Sequence, residues 1–290
     1  MEFNSIATGY YLEALAVDGD AVWFSDVVEG GIRRRLPDGT TDAWLPGKRW
    51  IGSIVINEDG AVLSSGAGGI AWFNPATGAA GMLLDAIDGR PIDGVNEILH
   101  DGKGGLYFGT VDIPAIARGE APGPAALYRL DTGGRVTRLC GSLKFSNGIG
   151  ISADGRRLYH NETFVGTSAY DVASDGSIGN AMPLTKQLDC DGLAIDCEDN
   201  IWIAGYHSDT LSRLRPDGTV DRRVALPAGG VTNIRFGGGD GRELYLTTVA
   251  PEAGDALAKG VMPARTSVLY HARSDVAGQP MARTRFRLGH

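Results

Sequence analysis

"CDGLAIDCEDNIWIAGYHSDTLSRLRPDGTVDRRV", Cys190–Val224, contains four short apolar or alternating runs, parted by an acidic turn, a polar loop and a second Asp-Gly turn. Runs this short, rich in Ile, Leu, Val and Trp and bounded by Asp, Asn and Gly, read as strands joined by tight turns. The pattern recurs along the chain. Its first hairpin appears again in "DGDAVWFSD" from Asp18, "EDGAVLSSG" from Glu58, "GKGGLYFGT" from Gly102, "ADGRRLYHN" from Ala153 and "GDGRELYLT" from Gly239. A second unit follows each one, as in "GGIRRRLPDGTTDAW" from Gly30 and "AALYRLDTGGRVTRL" from Ala125. With Trp23, Val62, Tyr107, Tyr159, Trp202 and Tyr245 as markers, the spacings are 39, 45, 52, 43 and 43 residues. Four strands every forty-odd residues is the period of a propeller blade.

Six units account for nearly all of the chain, so the expected fold is all-β: residues 1–290 forming a single six-bladed β-propeller with four antiparallel strands per blade. Closing the ring calls for a strand from outside the repeats. The segment "FNSIA", Phe3–Ala7, is expected to join the last blade beside "TRFRLG", Thr284–Gly289. The longest interval holds "VDIPAIARGEAPGPAA", Val111–Ala126, a Pro- and Gly-punctuated insertion that reads either as a pocket lid or as a slack surface loop.

Composition agrees with a β-rich soluble protein: 290 residues with 43 Gly and 13 Pro and few strongly helical windows. A formal net charge of −8 argues against a nucleic-acid partner, which needs a basic face. The first residues, "MEFNSIATGYY", lack a basic segment followed by an apolar one, and no apolar run is long enough to span a bilayer. A cytoplasmic monomer or weak homo-oligomer is expected. Cys140, Cys190 and Cys197 form no CxxC pair and read as free, buried thiols.

In a propeller the innermost strands line the central channel, so polar residues near the start of those strands converge. The stretches "YLEALAVDGD", "VNEILHDGK", "SNGIGISADG", "CDGLAIDCED" and "TNIRFGGGDG" offer Glu13, Asn96 with Glu97, Asn147, Asp191 and Asn233 at one phase of five blades. Each alone reads as a turn former. Together, carboxylates and amides without clustered Cys or His describe a hard oxygen site suited to Ca²⁺, Mg²⁺ or Mn²⁺, with Zn²⁺ a possible substitute.

These five stretches resemble, in order and spacing, the signature segments of the senescence marker protein / gluconolactonase family, whose members include regucalcin-like proteins and lactonases. The resemblance implies a central metal site with Glu13, Asn147 and Asp191 as ligands to one divalent ion, Ca²⁺ first. It implies that Asn96 contacts substrate or adds a ligand. Three departures stand out. "LEAL" replaces the family's "GEGP" around Glu13, Cys190 replaces the Pro before Asp191, and Gly94 stands where sugar-lactone hydrolases carry an Arg. Losing that planar five-donor fork points away from a polyhydroxylated lactone.

The implied reaction is metal-assisted hydrolysis of a lactone or related cyclic ester, a small-molecule substrate. The metal would polarise the carbonyl, and either Asp191 or Glu97 would activate water. Phe145, His207 and Asn233 are expected to contact substrate, and Trp50 and Ile113 suggest an apolar flank. No GxSxG elbow occurs, and His100, His160, His207, His271 and His290 show no HxH or HExxH spacing. Two alternatives remain open: a metal-assisted isomerase or dehydratase acting on a cyclic carbonyl compound, and a metal- or ligand-binding protein without catalysis.

Overall fold

A computed structural model describes residues 1–227, 229–259 and 261–289. The N-terminal strand β1 (Phe3–Gly9) comes before the first repeat. Blade one comprises β2 (Leu12–Asp18), β3 (Ala21–Asp26), β4 (Ile32–Arg35) and β5 (Thr41–Trp44). Blade two comprises β6 (Ile54–Ile56), β7 (Val62–Gly66), β8 (Gly69–Phe73) and β9 (Ala80–Leu84), followed by a small hairpin, β10 (Ala86–Ile87) and β11 (Arg90–Pro91). Blade three is β12 (Val95–His100), β13 (Leu106–Thr110), a short helix α1 (Ile113–Ala117), β14 (Ala125–Leu130) and β15 (Val136–Leu143). Blade four is β16 (Ser146–Ile151), β17 (Arg157–Glu162), β18 (Gly166–Asp171) and β19 (Met182–Thr185). Blade five is β20 (Cys190–Ile195), β21 (Ile201–Gly205), β22 (Thr210–Leu214) and β23 (Val220–Ala225). Blade six holds β24 (Gly230–Gly237), β25 (Glu243–Val249), helix α2 (Ala253–Ala258) and β26 (Ser267–Arg273), with β1 as its outermost strand.

Each of these six four-stranded sheets pairs antiparallel throughout, so the fold is an all-β, six-bladed propeller. All six marker residues lie on the second strand of their blades. Apolar residues gather in six clusters, one at each junction between neighbouring blades. Trp23 meets Ile54 and Phe73 between blades one and two, for example, and Trp202 meets Ile234 and Leu246 between five and six. A twisted four-stranded sheet has two faces to cover, and a ring of six lets each blade cover its neighbour's.

Ring closure departs from the sequence reading in one respect. β1 pairs with β26 from Phe3↔Ala272 to Gly9↔Ser267, not with Thr284–Gly289. The latter segment runs on as a strap beneath the ring. Gln279 donates its backbone N–H to Ile195 of blade five, Thr284 Oγ1 donates to Asn57 Oδ1 of blade two at 2.8 Å, and Arg285 N donates to Gly104 O of blade three. Gln279 and Met281 with inner-strand apolar residues leave only about 40 Å³ at the lower end of the axis. The cysteines are free, but Cys197 is exposed and Cys140 half-buried, so only Cys190 is the buried thiol expected of all three. No helix among the described residues is long and apolar enough to cross a membrane.

Candidate active site

Innermost strands β2, β12, β16, β20 and β24 share a register irregularity near their starts: between Glu13 and Ala16, Val95 and Ile98, Ser146 and Ile149, Cys190 and Leu193, and Val231 and Asn233. A bulge adds a residue to one strand and re-aims its side chains. Here it falls on the polar residues themselves, which explains how an Asn-Gly pair sits inside a strand. At Gly148 the neighbouring blade passes so close that a Cβ would come within 2.5 Å of the Asp191 carbonyl oxygen. In blade one the bulge sets Ala14 in the left-handed region at φ 58°, where a Cβ costs about 1–2 kcal/mol.

A cavity of about 350 Å³ opens at the upper end of the axis. Glu13, Asn96, Asn147 and Asp191 form its floor, and Phe145 and His207 stand on its wall. Glu13 Oε2 accepts from Ala14 N at 2.9 Å and from Asn233 Nδ2 at 3.1 Å. Asn147 Nδ2 donates to Thr163 Oγ1 at 3.2 Å and also supports the Asp191 carboxylate. Asn161 Nδ2 holds the Asp191 backbone carbonyl at 2.7 Å.

Burial dominates the electrostatics of the floor. Desolvation pushes the Glu13 carboxyl up to about 8, against weaker opposing effects from Ala14 N–H and Asn233. Desolvation, then the charge of Glu13, holds Asp191 well above the usual carboxylate range. None of the ion pairs among the described residues involves either group; the buried ion pair on the axis is Glu97–Arg235. Among the described residues no three His, Cys, Asp or Glu side chains cluster as a metal site would; the floor is two carboxylates plus amides.

Two residues expected at the site stand behind the cavity wall. Glu97 is buried, its Oε1 accepting from Ser53 Oγ at 2.8 Å and from Arg235 Nη2 at 2.7 Å, so it does not face the space where water would be activated. Asn233 is buried as well, with Oδ1 accepting from Arg235 Nη1 at 3.0 Å while its amide nitrogen steadies Glu13. It steadies a floor carboxylate and is not among the residues lining the cavity. Arg235, the residue that organises both, escaped the sequence reading; its signal is a lone cation inside the apolar inner strand "TNIRF". His160 is buried against Ser146 Oγ at 2.8 Å and, like His100, is driven down to about 4 by desolvation, which keeps both imidazoles neutral. His271 pairs with Glu243 on blade six, and His290 lies outside the described residues.

The insertion Val111–Ala126 is not a slack loop. α1 begins at Asp112, whose Oδ1 accepts from Ala115 N at 3.0 Å, and Val111, Ile113 and Ile116 line the cavity. Its counterpart went unread: α2, in "PEAGDALAKG", brings Gly254 and Leu257 to the same cavity and touches α1 from the opposite blade.

A six-bladed propeller whose bulged inner strands aim carboxylates and amides into one axial cavity defines the class of protein. The chain belongs to the SMP-30/gluconolactonase/LRE-like family, whose model matches residues 13–250. It is 26% identical over 287 residues to a pentonolactonase of Haloferax volcanii, covering 94% of this chain and 93% of that one. It is 26% identical over 243 residues to a 6-deoxy-6-sulfogluconolactonase of Pseudomonas putida, covering 80% of each. Among solved structures, a calcium-binding regucalcin of Agrobacterium tumefaciens superposes with a TM-score of 0.80 at 20% identity, over 99% of this chain and 98% of that chain.

Proposed function

We propose that this protein is a divalent-metal-dependent lactonase that opens a lactone or related cyclic ester. The observation that carries the reading is the floor: two buried carboxylates, Glu13 and Asp191, face one cavity beside Asn147 with no cationic side chain paired to either. Buried carboxyls this close ionise together only with a counter-charge beside them and otherwise keep a proton. The oxygen donor set fits a hard divalent ion, with Ca²⁺ first and Mn²⁺, Mg²⁺ or Zn²⁺ as substitutes. The lactonases among the relatives support the substrate class.

When bound, such an ion supplies Lewis-acid polarisation of the ester carbonyl and charge for the developing oxyanion. The protein's own residues do the rest. Glu13, Asn147 and Asp191 would hold the ion, and Asn233 fixes the direction of Glu13. Asp191, which lines the cavity as Glu97 does not, would accept the proton of the attacking water. Asn96 on the floor and Phe145 and His207 on the wall would position the ring.

The test is acid release from a panel of γ- and δ-lactones in the presence of Ca²⁺, Mn²⁺, Mg²⁺ or Zn²⁺. Asp191→Ala should abolish the stabilisation conferred by metal and lower turnover by about 10³-fold or more; full activity in that variant refutes the assignment. Silence across the panel while metal still raises the melting temperature refutes hydrolysis and leaves a binding protein or a metal-assisted isomerase or dehydratase.

A further inference from the structure

The upper part of the cavity has a different chemistry from its floor. α1 and α2 rise from blades three and six, which stand opposite one another in the ring, and they meet across the mouth. Ile113 and Ile116 come from one helix region and Leu257 from the other, with Trp50 and Phe145 below them. At the rim, Phe164 and Leu188 are each 58% exposed, unusual for side chains of that size.

The space beside Gly94 is closed by packing. A Cβ on Gly94 would lie 2.5 Å from Ile113 Cδ1 and 2.6 Å from its Cγ1, so the isoleucine fills the space a longer side chain would need. No Lys or Arg lines the cavity among the described residues. Several polar groups lining the cavity are engaged within the protein. Thr163 Oγ1 donates to Cys190 O at 2.7 Å, Asn96 Nδ2 to Ser146 O at 3.0 Å, and the Tyr11 and Tyr206 hydroxyls pair at 3.1 Å. Asp189 Oδ2 accepts the backbone N–H groups of His207 and Ser208 at 3.0 and 2.9 Å. A ring of hydroxyls entering this space meets aliphatic and aromatic carbon and few open donors, and each hydroxyl left without a partner opposes binding. At about 350 Å³ the cavity has the volume of roughly a dozen waters at ~30 Å³ apiece, which accommodates a ring with a substituent.

Building on the lactonase reading, we infer that the substrate is a lactone whose ring carries an alkyl or aryl group, its carbonyl over Glu13, Asn147 and Asp191 and its apolar group under the α1–α2 roof. Ile113 is the residue that sets this preference.

The experiment compares kcat/KM of the full chain, loaded with the metal that stabilises it most, for glucono-δ-lactone, δ-valerolactone, and pentyl- and phenyl-substituted δ-valerolactones. The substituted lactones should exceed glucono-δ-lactone by about 10²-fold or more, and Ile113→Ala should lower the ratio of substituted to unsubstituted lactone by about tenfold or more. Equal or faster opening of the sugar lactone, or a ratio unmoved in Ile113→Ala, overturns the inference and leaves the lactonase reading standing. If no lactone is opened, the hydrolase reading falls and calorimetry with the matching lactams decides the cavity's preference. Binding of the pentyl lactam but not gluconolactam supports an apolar ligand; the reverse overturns it.

Discussion

Glu13 shows how a single residue gathers several constraints. Its carboxyl, raised to about 8 chiefly by burial, stays largely protonated at neutral pH in the metal-free protein. An acid whose folded value lies above the unfolded one, ~4.3, contributes stability that is complete below the unfolded value and lost as pH rises through the folded one. Asp191 shifts in the same direction and adds to the effect. The melting temperature of the metal-free protein should therefore fall between pH 5 and about 8 from these groups, while the increment from added Ca²⁺ or Mn²⁺ grows over the same range, as calorimetry at several pH values will show. A metal increment that shrinks toward pH 8 would contradict the site. At this scale the sequence was legible for Glu13, Asn96, Asn147 and Asp191, because one phase in successive inner strands is a one-dimensional regularity. It misled for Glu97 and Asn233, because an adjacent residue, or one shifted by a bulge, turns to the other side of the strand. The partner that claims both, Arg235, lies two residues from Asn233 on the same strand but in another blade from Glu97, more than a hundred residues away.

Elements owe their positions to buried turn anchors at the ends of the innermost strands. In blade five, Asp196 Oδ1 caps its own turn through Glu198 N at 2.9 Å, while Oδ2 accepts Trp202 Nε1 at 2.8 Å and Arg213 Nε at 2.7 Å. In blade three, Asp101 binds Lys103 N at 2.7 Å and Arg129 Nη2 at 2.7 Å in the same manner. One carboxylate thereby ties the first, second and third strands of blade five together. Asp196→Ala leaves the buried Arg213 and Trp202 groups short of a partner and should destabilise the protein by about 3–5 kcal/mol, read by urea denaturation. A change under 1 kcal/mol would show that the ladder alone, at about 1 kcal/mol per net hydrogen bond, sets the blade. The acidic turns were visible in the sequence as turns, but their hold on the third strand depends on which arginine folds back over them. The helical roof lay at the limit of legibility: both inserts break the strand pattern, but nothing in either shows that they meet.

For the whole molecule the decisive joint is blade six, which takes three strands from one end of the chain and one from the other. Removing residues 1–9 strips β1 from β26 and takes Ile6 and Ala7 from the junction of blades six and one. The exposed edge then invites pairing between molecules. We expect a loss of about 10 °C or more in melting temperature together with larger species on gel filtration, and a monomer of unchanged stability would contradict this role. The need for closure was legible from the count of repeats. The partner strand was not, because Ser267–Arg273 and Thr284–Gly289 both read as extended, and only packing beneath the ring separates them.

The strap under the ring has a kinetic consequence. Among the described residues, Gln279, Met281 and the buried Glu97–Arg235 pair crowd the lower end of the axis, away from the mouth of the cavity. On the proposed function, a hydroxy acid formed on the floor leaves by the mouth through which the next molecule arrives, so turnover is a one-lane exchange in which product obstructs substrate.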